Sequence, residues 1–169
     1  MKVELKNFKH MPSLSEETTC FSASVYFNGE KLFVASNTGK GEGNRIDLVK
    51  GKTRVDLEAF RKWVSTQGFK VDCDYYISTL VHNHLVLQDF KRLTKGRVVY
   101  FSPKSTSPGL RQFPKRVTPA NFGDSGRSIL QKHDPGAVVI NDLEPDIGLE
   151  YYKATESLEA LQAVHRKYS

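Results

Sequence analysis

Cationic side chains are concentrated in one stretch of the sequence, residues 91–132. This stretch holds ten Lys and Arg against a single acid, Asp124, although the whole chain has a formal charge of only +6. Aromatic and hydroxyl side chains lie between the cations, and this mixture suits phosphate neutralisation, backbone positioning and base stacking. We therefore expect contact with nucleic acid or a nucleoprotein complex through Lys91, Arg92, Lys95, Arg97, Lys104, Arg111, Phe113, Lys115, Arg116, Arg127 and Lys132.

Two other interpretations of the basic stretch stay open. It could dock on an acidic protein partner. Alternatively, the protein could be an inhibitor that grips a host protein through the hairpin edge or the aromatic residues around Trp63, with the basic stretch involved only indirectly. Its charge could also serve solubility alone. No amphipathic basic helix of the kind that lies on membranes accompanies it, so no membrane partner is expected.

A glycine-rich stretch, residues 36–45, is a possible phosphate loop. Bare backbone amides near Gly39 and Gly41 could approach a phosphate closely, with Lys40 and Arg45 adding charge. The spacing matches neither the Walker pattern nor the dinucleotide fingerprint. A linker leaving the preceding hairpin is the favoured alternative.

Three carboxylates, Asp142, Glu144 and Asp146, follow a predicted strand. Nucleases place Mg²⁺ ligands at such positions, because a hard cation prefers hard oxygen ligands. This pattern is the basis for an alternative function, a small metal-dependent nuclease or phosphodiesterase. A solvated acidic loop is the expected arrangement, so no metal site is predicted.

Two further patterns resemble catalytic motifs without their context. Residues 123–126, Gly-Asp-Ser-Gly, match part of a serine-protease nucleophile run, but Arg127 and Ser128 replace the Gly-Pro that follows it and no suitable histidine context is found. His82 and His84 lie on a predicted helix, where a spacing of two residues points them in different directions. We therefore predict no catalytic residue, no cofactor and no enzymatic activity.

The elements that would position these residues indicate an α+β fold. Residues 3–8 alternate as a half-buried strand, and residues 20–27 and 32–35 flank Asn28-Gly29, a strong hairpin signal. A capping box at Thr53–Asp56 begins a helix that Gly68 should end, and a second helix is predicted from about Asp74 to Lys95.

The second half of the chain is predicted to add two strands, 97–101 and 137–140, which join the N-terminal sheet, and a C-terminal helix capped near Thr155. Between the strands, five prolines favour a long extended arm at about 102–136, with a short helix at 126–132. The length suits a single domain over residues 1–169.

Cysteine content and hydropathy indicate the compartment. Two cysteines, Cys20 and Cys73, are typical of a reduced cytoplasmic protein, and no apolar run approaches the ~20 residues of a membrane span. We therefore expect a cytoplasmic location.

The first 45 positions resemble short uncharacterised proteins of phages and other mobile elements. The matching features are residues 13–18 (Ser-Leu-Ser-Glu-Glu-Thr), Phe21-x-Ala23, the Asn28-Gly29 turn and Asn37-x-Gly39-x-Gly41. The resemblance implies a non-enzymatic protein that binds host machinery in the host cytoplasm, in a regulatory or counter-defence role. An inhibitor of a host protein that makes no nucleic-acid contact is the alternative within this class.

Overall fold

The computed structural model describes residues 1–67 and 72–168 and confirms the α+β class. The chain is 49% helix and 21% strand, with one four-stranded and one three-stranded sheet. It divides into two compact units, Met1–His84 and Leu85–Ser169. The prediction of one domain stays a prediction, and the two units are described separately.

Unit 1 is built on an antiparallel sheet in the order β1-β2-β3-β4, formed by Val3–His10, Phe21–Phe27, Glu30–Asn37 and Arg45–Leu48. The predicted hairpin is confirmed, since Phe27 pairs with Glu30 across a two-residue turn. Asn28 and Gly29 both have positive φ, 52° and 87°, which this tight turn requires. The sequence did not predict β4, because its four residues follow a polar, glycine-rich loop.

Two helices complete unit 1: α1 (Arg54–Ser65) and the first half of α2 (Cys73–Gly96). The capping box is confirmed, with the Thr53 backbone N–H donating to the Asp56 carboxylate at 2.7 Å. Gly68, the predicted end of α1, lies outside the described residues. The core of this unit is aromatic, because Phe60 is fully buried and its ring packs on Phe27, Phe33, Trp63 and Tyr76.

Unit 2 contains a second antiparallel sheet in the order β6-β5-β7, made by Arg111–Gln112, Val99–Phe101 and Val138–Val139. The expectation that the later strands join the N-terminal sheet is therefore wrong. β5 uses both of its edges within unit 2, pairing Tyr100 with Arg111 on one side and with Val139 on the other.

The predicted arm at 102–136 is not extended throughout. It holds β6 and helix α3 (Pro119–His133), and its irregular parts are the connections before β6, between β6 and α3, and after α3. Pro119 is the first helical residue, where proline is tolerated because its missing N–H needs no partner. No proline follows until Pro135, so four of the five prolines precede or begin the helix and none lies in its interior.

The C-terminal region forms two helices, α4 (Pro145–Lys153) and α5 (Leu158–Tyr168), joined by a 3₁₀ turn. The predicted cap near Thr155 is wrong: the Ser157 hydroxyl accepts the N–H of Ala160, so Ser157 caps α5. A buried cluster of Phe90, Val99, Phe101, Ile140, Tyr151 and Leu161 holds these helices to β5 and α2. None of the helices in the described ranges combines the length and apolar character that a membrane crossing requires.

Candidate nucleic-acid interface

The centre of the candidate interface is an open groove of about 680 Å³ in unit 2. Three of the predicted contact residues line it: Arg92 from α2, Arg97 from the link to β5, and Lys115 from the link after β6. The same groove is lined by Asp89, Leu93, Gly96, Gln112 and Tyr152. Folding thus brings together cations that are up to 23 positions apart in the sequence.

Two of these cations are held by neighbouring polar groups. Arg97 Nη1 donates to Gln112 Oε1 at 3.0 Å, which ties the link before β5 to strand β6. Arg92 Nη2 donates to Asp89 Oδ1 at 2.8 Å, one turn earlier on α2, while 82% of its side chain remains exposed. Each guanidinium therefore keeps further N–H donors for a ligand.

Asn141 is the half-buried residue that holds the backbone at Arg97. Its Oδ1 accepts the N–H of Val99 at 2.7 Å, and its Nδ2 donates to the carbonyls of Thr94 and Arg97 at 2.7 and 2.9 Å. One amide side chain thereby joins the end of α2 to the start of β5. The position of Arg97 depends on this connection.

Most of the positive charge of residues 91–132 is not neutralised by the protein itself. Arg127 pairs with Asp142 and Lys104 Nζ reaches the His133 carbonyl at 3.5 Å. Within the part of the chain that the structure describes, six of the ten cations have neither an ion pair nor a side-chain hydrogen bond: Lys91, Lys95, Arg111, Lys115, Arg116 and Lys132. Among the described residues, Asp142 is the only acid after residue 132 that forms an ion pair with these cations, so their net charge stays strongly positive.

A second groove, of about 340 Å³, lies on another side of the end of α2. Lys91 and Lys95 line it together with apolar residues that include Leu87, Ile140 and Leu143. The cations of α2 are therefore divided between two grooves. Arg111, Arg116 and Lys132 are exposed but line neither of them.

The aromatic residues of the basic stretch are structural. Phe113, a predicted contact, packs between Tyr100 and Phe122 with ring centroids 5.2 and 5.0 Å away. Phe101 and Phe122 are buried in the two hydrophobic clusters of unit 2. The aromatic ring that lines the basic groove is instead Tyr152, which sequence reasoning missed because it lies 37 positions beyond Lys115 in an acidic region.

The carboxylates after β7 do not converge. Asp142 accepts two hydrogen bonds from Arg127, at 2.7 and 2.6 Å, and this contact raises the pKa of the guanidinium. Glu144 and Asp146 flank Pro145 at the start of α4. Across residues 1–67 and 72–168, no group of three or more His, Cys, Asp or Glu is placed to hold a metal ion.

The glycine-rich loop is closed by contacts within unit 1. The Gly39 carbonyl accepts the N–H groups of Glu16, Glu17 and Thr18, and its own amide donates to Asn37. A Cβ at Gly39 would lie 2.0 Å from the Leu14 carbonyl, so glycine is required for this close approach. The Gly39 N–H, a predicted phosphate donor, is therefore already bonded to Asn37.

The two cations of that loop, Lys40 and Arg45, do not form a common binding site. Arg45 is paired with Asp47 at 3.0 Å, while Lys40 is exposed. The Gly41 amide lies 3.3 Å from the Thr18 hydroxyl, which accepts its hydrogen bond. The glycines at 39 and 41 are therefore explained by the close packing of this loop on residues 14–18.

The remaining motifs occupy ordinary structural positions. His82 and His84 are both on α2, with His82 exposed and His84 packed on the Phe8 ring at 4.5 Å. Ser125 is exposed on α3, just after the kink at Gly123.

Comparisons with protein-family models, with curated proteins and with solved structures find no match.

Proposed function

We propose that this protein is a non-enzymatic binding protein that contacts nucleic acid through the cationic surface of unit 2. The observation that carries the proposal is the unneutralised charge of residues 91–132, since six of its ten cations lack an internal partner among the described residues. A regulatory or counter-defence role in a host cytoplasm is the setting that the N-terminal resemblance suggests.

The physical basis is electrostatic. Clustered cations raise the local potential and attract a polyanion, and each neutralised phosphate releases counterions from nucleic acid. Exposed lysines and arginines on several different elements suit a backbone that runs across the surface. Such contacts position a nucleic acid without reading its base sequence. We therefore expect the protein to distinguish single strands from duplexes, or DNA from RNA, rather than one base sequence from another.

Binding assays with labelled oligonucleotides test the proposal. Single-stranded and double-stranded DNA and RNA are titrated with the full chain at two salt concentrations. We expect binding that weakens steeply with salt, and a K115E/R116E variant should bind more weakly with a shallower salt dependence, by about one unit of log–log slope for each lost contact.

A charge-matched control separates a local contact from the net charge. Lys9 and Lys50 are exposed cations of unit 1, and K9E/K50E removes as much positive charge as K115E/R116E does. The control should bind nearly as well as the parent protein. Absence of binding at low salt, or equal losses in the two variants, would contradict the proposal.

A further inference from the structure

We infer that the groove around Arg97 is a binding site for single-stranded nucleic acid, in which the Tyr152 ring stacks on an unpaired base. This inference rests on the proposed function and adds the form of nucleic acid that is bound. The groove places three cations and one aromatic ring around a single concavity. Its volume of about 680 Å³ is within the ~300–1,000 Å³ range of small-molecule pockets, enough for a nucleotide base and sugar.

Tyr152 is built as a stacking platform. It lies on α4, and its ring packs on the buried Phe90 with a centroid distance of 5.6 Å. Tyr152 is half-buried and lines the groove, and the contact with Phe90 holds its side chain in place. Stacking on a rigid aromatic ring requires an exposed base face, which a single strand has and the interior of a duplex lacks.

The polar groups of the groove match the rest of a nucleotide. Arg92, Arg97 and Lys115 supply the charge for the phosphates, and Asp89 is the one acid that lines the groove with them. The Gln112 amide oxygen accepts from Arg97, while its nitrogen has no partner among the described residues and can donate to a base edge. Gly96 leaves open space, because a Cβ there would meet nothing within 4 Å.

The test compares a labelled single strand with a blunt duplex of the same sequence, using fluorescence anisotropy. We expect the single strand to bind more tightly. The Tyr152→Leu variant should weaken single-strand binding about 5- to 150-fold, the range for losing one base–aromatic stack, and leave duplex binding unchanged. The Tyr152→Phe variant keeps the ring and should bind as the parent does.

Two further measurements keep the inference falsifiable if the leucine variant folds poorly. Tyr75→Leu removes an exposed tyrosine of unit 1 and should leave binding unchanged. Photo-crosslinking of a bromouracil-substituted strand to the parent protein should attach it to the peptide that contains Tyr152.

The outcomes separate this inference from the proposed function. Equal affinity for single strand and duplex, or crosslinking that spares the Tyr152 peptide, would overturn the stacking site and leave the cationic surface in place. Failure of both nucleic acids to bind at low salt would overturn the proposed function, and the stacking site with it.

Discussion

Replacing the half-buried Asn141 by alanine should destabilise unit 2 strongly. The substitution removes three hydrogen bonds that connect the end of α2 to β5. Val99 is fully buried, so its N–H would be left without a partner, which costs about 1–3 kcal/mol. Loss of the two bonds to the Thr94 and Arg97 carbonyls adds about 0.5–1.5 kcal/mol each, since water can replace them in part.

We therefore expect a loss of about 2–4 kcal/mol in the free energy of unfolding, with the net value below the full sum because the site relaxes. Urea unfolding followed by far-UV circular dichroism measures it from the shift in midpoint. Asn141→Asp should be at least as destabilising, because it would place carboxylate oxygen against the Thr94 and Arg97 carbonyls. Single-strand binding should also weaken, since Arg97 would lose its fixed position.

Asn121 provides a matched control for this experiment. It makes two backbone hydrogen bonds at the exposed start of α3, accepting from Thr118 and donating to the Arg116 carbonyl. Asn121→Ala should cost only about 1 kcal/mol, as expected for an exposed helix cap. A smaller loss for Asn141→Ala than for Asn121→Ala would refute the connector role.

Three more predictions concern other parts of the molecule. Gly126→Ala should lower stability by about 1–3 kcal/mol in thermal or urea unfolding, because its Cβ would lie 2.6 Å from the Phe122 ring, whereas Ser125→Ala nearby should be almost neutral. Burial raises the pKa of the Cys73 thiol to about 11, so alkylation at neutral pH, followed by mass spectrometry of its peptide, should be far slower than for an unfolded sample. The same shift should reduce stability as pH rises from about 9 to about 11, because the unfolded thiol ionises first. A Cys73→Ala variant should lose stability less steeply over that window, while burial of Tyr76 and Tyr151, which raises the pKa of each, keeps part of the slope; an unchanged slope would exclude Cys73 as a source.

The elements of unit 1 were accessible to sequence reasoning because their signals are local. The Asn28-Gly29 pair favours a two-residue turn. Thr53 and Asp56, three positions apart, mark the start of α1. The helix predicted from about Asp74 to Lys95 is confirmed as α2, which spans Cys73–Gly96. By contrast, β4 pairs Leu48 with Phe33 of β3, and its own signal, the polar–apolar alternation of Arg45-Ile46-Asp47-Leu48, is only four residues long.

The candidate interface was only partly predictable. Charge counting identified Arg92, Arg97 and Lys115, because clustered cations are visible in the sequence. It could not show that Phe113 is packed between other rings, nor that Tyr152 lines the groove. The contacts of Asn141 span 42 to 47 positions, so no local pattern could reveal them.

Proline spacing was the misleading signal. The five prolines favour an extended arm outside the short helix predicted at 126–132, but Pro119 occupies the first helical position of α3. The capping residue Thr118 and the proline-free run over 120–134 are the local evidence for this helix. Pro145 begins α4 in the same way.

The salt dependence of single-strand binding tests the central claim most directly. The parent protein is compared with an R92Q/R97Q/K115Q variant at several salt concentrations. Loss of three phosphate contacts from the groove should make the log–log slope shallower by about 2, at roughly 0.7 per phosphate on a single strand. An unchanged slope in the variant, or binding by the parent that does not depend on salt, would contradict the account.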